Sequence, residues 1–236
     1  MDILRVQIKR AGYASNKKAV ENINFSLKKG ELVGLIGPNG AGKSTTIKAI
    51  LGLLPEMDGE LEPASQNTRY AYMPENPVFY DEMTLWEHLE LAAAAYGMER
   101  SEFLDESGKL LEIFRLQKER HYLPGSFSKG MQQKVMLIIG FLIKADLYIV
   151  DEPFIGLDPR ATRDFLSLLK EEGKRGAGVL MSTHVLDTAE KICDSFVLLA
   201  DGKLVAQGNL AQIREICRMP GASLFDCFNK ILENLE

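Results

Sequence analysis

A chain of 236 residues with 46% hydrophobic side chains can bury a full core, and its 26% of charged residues is ordinary for a globular protein facing water. A formal net charge of -5 argues against the broad phosphate-tracking surface of a nucleic-acid binder but leaves room for a local basic site. Cys193, Cys217 and Cys227 show no CxxC spacing and one must stay unpaired, so with three scattered histidines neither a zinc site nor a disulfide framework is expected.

From the N-terminus, Met1-Asp2-Ile3-Leu4-Arg5 carries no signal-peptide pattern. Ile3 to Ile8 and Ala19 to Leu27 alternate, with Gly12, Ser15 and Asn16 between them, which predicts a small antiparallel sheet. A short apolar strand from Leu32 to Ile36 runs into a glycine-rich loop, and a helix is expected from Lys43 to Leu54. Between Thr84 and Lys144 the pattern turns helical. Thr84-Leu85-Trp86-Glu87 is a capping box, in which threonine accepts from the Glu87 amide and the carboxylate returns to the cap. Further helices fit Glu102 to Leu116 and Ser128 to Lys144. The longest apolar run, Val135 to Ile143, has nine residues where a membrane span needs roughly 20, so it predicts a buried helix.

Strands return at Leu147 to Val150, Val179 to Ser182 and Ser195 to Leu199. A hairpin turn at Asp201-Gly202 leads to Leu204 to Ala206. Helices at Pro159 to Lys174 and Val185 to Ile192 lie between the strands, and a helical tail starts near Asn209. The pattern is an α/β core interrupted by a helical insert, with no internal repeat.

Gly37-Pro38-Asn39-Gly40-Ala41-Gly42-Lys43-Ser44 matches GxxxxGK[ST] in full. Glycines let successive backbone N–H groups point at one anion, and the following helix adds the positive end of its dipole. Lys43 places an ammonium against the β- and γ-phosphates, and the Ser44 hydroxyl can ligate Mg²⁺. Leu147-Tyr148-Ile149-Val150 runs into Asp151-Glu152, which suggests a parallel strand buried on both faces and ending beside that loop. Asp151 would hold a metal through water, and Glu152 would polarise the attacking water.

The rest of the motif set resembles the ABC ATPases from end to end. Ser128-Lys129-Gly130-Met131-Gln132-Gln133 looks like their signature, 23 residues before Asp151; Gly156-Leu157-Asp158 looks like the D-loop and Ser182-Thr183-His184 like the switch histidine. Tyr13 fits the aromatic that stacks on adenine. More narrowly, Pro74-Glu75-Asn76-Pro77, Thr84 to Leu89 and Phe127 to Met131 resemble the ATPase subunit of Ecs-type exporters, and Ser223 to Phe228 the tail of ABC-2-type exporter ATPases.

That resemblance implies one P-loop NTPase (RecA-like) domain over 1–236, with a catalytic core and antiparallel β subdomain at 1–78 and 145–208. It adds an inserted helical subdomain at 79–144 and a tail at 209–236. It implies ATP and Mg²⁺ as cofactors, with Glu152, His184 and Lys43 as the catalytic set. Tyr13, Asn39, Gly40, Ala41, Gly42, Lys43, Ser44 and Thr45 would contact nucleotide, and Ser44, Glu75 and Asp151 the metal. Asp158 of the D-loop, Ser128 and Gly130 would complete the nucleotide-binding set, Ser128 and Gly130 by facing the γ-phosphate held by a second copy in a head-to-tail homodimer. An integral membrane permease would be the partner, at the cytoplasmic face of the cell membrane, with no nucleic acid involved.

Two positions depart from the family pattern. Glu75 stands where glutamine is usual and brings negative charge near a polyphosphate, and Lys129 and Met131 replace glycine and glutamine in the signature. Retention of Ser128 and Gly130 predicts surviving hydrolysis. Phe79, Tyr80 and Trp86 read either as contacts for a membrane subunit or as core of the helical insert. His88 and His121 read as surface or packing residues, and Glu171 to Arg175 as a solvated helix end. Two other functions compete: a soluble ABC protein acting on ribosome or DNA, which 236 residues with one P-loop do not fit, and a nucleotide-gated module with negligible turnover.

Overall fold

Five strands lie side by side and parallel, in the order β8 (Ser195–Ala200), β3 (Leu32–Ile36), β7 (Gly178–Thr183), β6 (Leu147–Asp151) and β5 (Tyr70–Met73). Every residue of β6 and β7 is buried, as near-continuous apolar strands covered on both faces should be. The register pairs Ile36 with Thr183 and Asp151 with Ser182. Glycine loop, acidic strand end and Ser-Thr-His stretch therefore leave the sheet at one edge, where open α/β sheets bind ligands.

The computed structural model describes residues 1–14 and 16–234. Ser15, in the turn expected after Tyr13, lies outside them. Beyond β8 the sheet continues through β9 (Lys203–Gly208), β2 (Asn16–Lys28), β1 (Asp2–Tyr13) and β4 (Glu56–Pro63). The antiparallel part expected from sequence is thus an arm of one continuous sheet. β2 and β9 meet at one parallel pair, Glu21 and Lys203, whose side chains also form a 3.2 Å ion pair. The hairpin turn is as expected: Asp201 and Gly202 have φ of 47° and 74°, the paired positive values of a type I′ turn.

Helices cover the sheet. α1 (Lys43–Ile50) packs with β1 and β2, while α2 (Leu85–Ala95), α3 (Arg100–Phe114), α4 (Lys129–Leu142) and α5 (Pro159–Arg175) share a core with β5, β6 and β7. Phe103, Phe114 and Phe165 are each at most 1% exposed, and burial of such side chains contributes about 1.5–3 kcal/mol apiece. A third core joins β8 to α6 (Leu186–Ile192), α7 (Leu210–Cys217) and α8 (Leu224–Glu233).

Several expectations need correction. α1 stops at Ile50 rather than Leu54, because Leu51 caps it and Gly52 turns away at φ 67°. α3 ends at Phe114 rather than Leu116, with Arg115 left-handed at φ 58° as its cap. Of the two readings of His88 the packing one holds and the surface one does not: it is buried against Phe79 and Tyr80, its Nε2 accepts from Tyr80 N at 2.9 Å, and its Nδ1 lies 2.8 Å from Thr84 O. The end of α5 is also more than a solvated face, since Glu172 Oε2 accepts from Tyr148 Oη at 2.9 Å and from Arg175 Nε at 2.8 Å.

Candidate nucleotide-binding site

The loop between β3 and α1 curls because glycine stands where nothing else fits. At Gly42, the N-cap of α1, φ is 99° and a Cβ would come 2.5 Å from Val20 Cγ1; both facts demand glycine. Ala41 is buried and anchors the loop to the β8–β9 hairpin, its carbonyl accepting from Gly202 N at 3.2 Å. A cleft of about 490 Å³ opens over this loop. Of the residues singled out from sequence, Asn39, Gly40, Gly42, Lys43, Ser44, Thr45, Glu75, Glu152 and His184 line it.

Lys43 is buried and fully engaged. Its Nζ donates to Gly37 O at 2.8 Å and Pro38 O at 3.3 Å, and lies 3.4 Å from Glu152 Oε1. The other Glu152 oxygen sits 3.0 Å from His184 Nδ1, so the acid stands between the P-loop lysine and an exposed histidine at the end of β7. Glu152 itself has φ 48°, a left-handed value that costs a non-glycine residue about 1–3 kcal/mol. Such strain persists only where the surroundings over-determine it, and here Glu152 N donates to both the carbonyl (3.2 Å) and the hydroxyl (3.1 Å) of Ser182.

Asp151 lies beneath the cleft. It accepts from Ser44 Oγ at 3.4 Å and from Ser182 Oγ at 2.5 Å. Burial first, then the charges of Asp151 and Glu75, then Tyr13 push the Tyr72 phenol up to about 12. Tyr13 does not line the cleft; its hydroxyl accepts from Lys48 Nζ at 3.4 Å, with the ammonium 5.7 Å from the ring centroid.

The signature-like residues sit elsewhere on the chain. Ser128 is exposed and caps α4 by accepting from Met131 N at 3.3 Å. Gly130 packs against the loop before α5, so closely that a Cβ there would lie 2.5 Å from Gly156 O. Asp158 caps α5 through Ala161 N at 2.8 Å and accepts from Lys134 Nζ at 2.8 Å. The Lys134 ammonium and then the backbone N–H of Ala161 hold its carboxyl down at about 2. None of the three lines the chain's own cleft.

The sequence pattern of the family described as ABC transporter matches residues 20–155, more than half of the chain. The chain belongs to the ABC transporter family. It is 52% identical to the uncharacterized ABC transporter ATP-binding protein YthP of Bacillus subtilis, over 98% of both chains. It is 45% identical to the ABC-type transporter ATP-binding protein EcsA of the same organism, over 97% of this chain and 96% of that one. A solved structure of an ATP-binding subunit of an ABC transporter superposes with a TM-score of 0.93 at 44% identity, covering 98% and 99% of the two chains. The glycine loop, the signature-like stretch and the acidic pair of this ABC ATPase all fall within residues 20–155. Among the described residues no helix is long and apolar enough to cross a membrane.

Two participants were missed from sequence. Ser182 was noted only as the start of a motif, yet its hydroxyl joins Asp151 to the Glu152 backbone. Lys134 closes the signature-like stretch, but nothing in the sequence tied it to Asp158, 24 residues away.

Proposed function

We propose that this ATPase powers export through a separately encoded integral membrane permease, as a head-to-tail homodimer that clasps Mg²⁺-ATP at two shared sites. The observation that carries the reading is the split of the machinery within one chain. The cleft holds Lys43, Ser44, Glu152 and His184, while the exposed Ser128, at the positive end of α4, is not among the residues that line it. A second copy supplies that helix end to the γ-phosphate. Phosphoryl transfer depends chiefly on positioning and charge neutralisation, so half a site binds well and turns over poorly.

The chain's own residues act as follows. Phosphate oxygens compete with Glu152 and two carbonyls for Lys43, drawing its ammonium onto the β- and γ-phosphates. Glu152, released, accepts a proton from the attacking water, and His184 orients the γ-phosphate while staying within reach of that acid. The donors around Ser44, Asp151 and Glu75 are all oxygens, which suits Mg²⁺. Among the described residues no cluster of three or more His, Cys, Asp or Glu forms a protein-only metal cage, and Mg²⁺ needs none, since it shares its shell with waters and phosphates. When bound it neutralises charge on the phosphates.

Export is favoured by a relative: the SkfA peptide export ATP-binding protein SkfE of Bacillus subtilis is 32% identical over 91% of this chain and 92% of its own. The permease would dock where Val78, Tyr80, Tyr122 and Leu123 are exposed together. Leu85 N donates to Tyr122 O at 3.0 Å and Trp86 N to Arg120 O at 2.8 Å, while Tyr80 N donates to His88 Nε2 at 2.9 Å, so both loops are held to the start of α2. Trp86 belongs to the helical core instead, its ring 5.0 Å from Phe103. Docking would place the protein at the cytoplasmic face of the membrane.

The test is Glu152→Gln. ATP turnover should fall at least 100-fold, and light scattering in Mg²⁺-ATP should show a dimer that wild type forms only transiently. Membrane co-purification of wild type should bring down an integral protein. A monomeric Glu152→Gln variant under saturating ATP would sink the proposal.

A further inference from the structure

Gln133 sits on α4 at 1% exposure, and among the described residues neither its Oε1 nor its Nε2 meets a hydrogen-bond partner. Its sequence neighbours are both engaged: Gln132 Nε2 donates to Pro124 O at 3.0 Å and Lys134 Nζ to Asp158 Oδ2 at 2.8 Å. A buried polar group left unpaired is destabilising by more than the average hydrogen bond contributes. Such a group calls for a role in another arrangement of the same parts.

Helix geometry says where the carboxamide lies. Gly140, seven residues on, shares its face to within about 20°. At Gly140 the helix runs so close to β5 that a Cβ would stand 2.9 Å from Met73 Cγ. Only residues 143–146 join α4 to β6, and α4 packs on the same strands, so the chain must reverse between them and α4 runs back along β6, to which β5 is parallel. Moving back from Gly140 to Gln133 therefore carries the face about 10 Å past Met73, toward residues 74–76. That segment takes Glu75 into the cleft. One turn nearer the N-terminus of α4 stand Gly130, packed on Gly156, and the cap Ser128.

We propose that Gln133 is a positioning residue that couples the Glu75 loop to the Ser128 end of α4. Its carboxamide is unpaired in the conformation described here and pairs with the backbone of residues 74–76 in the conformation that turns over ATP. Nucleotide contacts at Glu75 thereby set the aim of the helix end offered to the second copy. The inference rests on the proposed ATP-dependent dimer and deepens it.

The experiment uses Gln133→Met and Gln133→Leu, each alone and combined with Glu152→Gln. Removing an unpaired buried amide should raise the melting temperature without nucleotide by about 2–6 °C. The same variants should lower kcat about 5–10-fold with KM for ATP within about twofold, and weaken the Mg²⁺-ATP dimer in the Glu152→Gln background about tenfold. A merely structural glutamine would not move kcat and stability in opposite directions. A lower melting temperature in both variants shows an amide already satisfied, for instance by a buried water, and overturns the inference. So does unchanged kcat and dimer affinity. If Glu152→Gln with Gln133 intact fails to dimerise, the proposed function falls and takes this inference with it, so the two failures are told apart.

Discussion

Ser182 Oγ donates to Asp151 Oδ1 at 2.5 Å while the same oxygen accepts from the backbone N–H of Glu152 at 3.1 Å. The pairing follows from the sheet, where Asp151 and Ser182 stand opposite in register on β6 and β7. One hydroxyl therefore orients the Asp151 carboxylate, proposed for the metal, and steadies the left-handed backbone of Glu152, the proposed general base. Removing an outer partner of this kind commonly costs 10–100-fold in activity or metal affinity. Ser182→Ala is expected to reduce kcat about tenfold or more while the fold persists, read by steady-state ATPase kinetics beside a thermal melt. Wild-type kcat would show that the strand ends hold Asp151 and Glu152 unaided.

Asp158 links α4 to α5 through Lys134, and the pair has a pH signature. The folded carboxyl is held near 2 against an ordinary 3.8, mainly by the Lys134 ammonium. Because the folded value is depressed, the contribution to stability is complete above about 4 and is lost as pH falls toward 2. Lys134→Met should move the Asp158 titration, followed by carboxyl NMR, back toward its ordinary value. The melting-temperature gap between wild type and variant should be flat from neutral pH to about 5 and close near pH 2. Asp158 is half exposed, so the gap should be small and shrink in high salt. A gap that widens on acidification contradicts the assignment.

The sequence made the phosphate-binding half of the site legible because its chemistry is local. Glycines, Lys43 and Ser44 act within one turn of chain, and the strand ending in Asp151-Glu152 is apolar throughout because it is covered on both faces. The cap of α2 was equally legible, and the Thr84–Glu87 box forms as expected. What escaped depends on partners far away in sequence. β4, Glu-Met-Asp-Gly-Glu-Leu-Glu-Pro, has too many charges to read as a strand, and exists because β1 pairs with it at the sheet edge. β5 has only four residues and takes its register from β6. The left-handed turn at Glu152 left no trace either, since its causes are the Ser182 contacts 30 residues downstream.

The cap at Thr84 offers a stability test remote from chemistry. Glu87 N donates to Thr84 Oγ1 at 3.3 Å and Thr84 N to Glu87 Oε2 at 2.7 Å, so two otherwise unpaired amides of α2 are satisfied. Thr84 also presents its carbonyl to His88, whose ring fixes the loop at Tyr80. Thr84→Ala should lower the melting temperature about 2–4 °C, with Thr84→Ser near wild type. An alanine variant as stable as the serine one would show the cap contributes nothing.

Glu75 tests how the cleft handles its extra negative charge. The residue lines the cleft wall with Glu152, close enough that its charge helps raise the Tyr72 phenol. A carboxylate there attracts a divalent cation and repels free polyphosphate, so Glu75→Gln should act in opposite directions on the two. Half-saturating Mg²⁺ for ATPase activity should rise about fivefold, and ATP binding in EDTA should tighten by a similar factor. Each corresponds to ~1 kcal/mol, the scale of one unit charge acting across a wet, partly buried site. The opposite signs matter more than the size: a glutamine that merely loosened the loop would weaken both. Coincident Mg²⁺ titrations for wild type and variant would place the Glu75 carboxylate outside the metal's reach and leave Ser44 and Asp151 as its protein ligands.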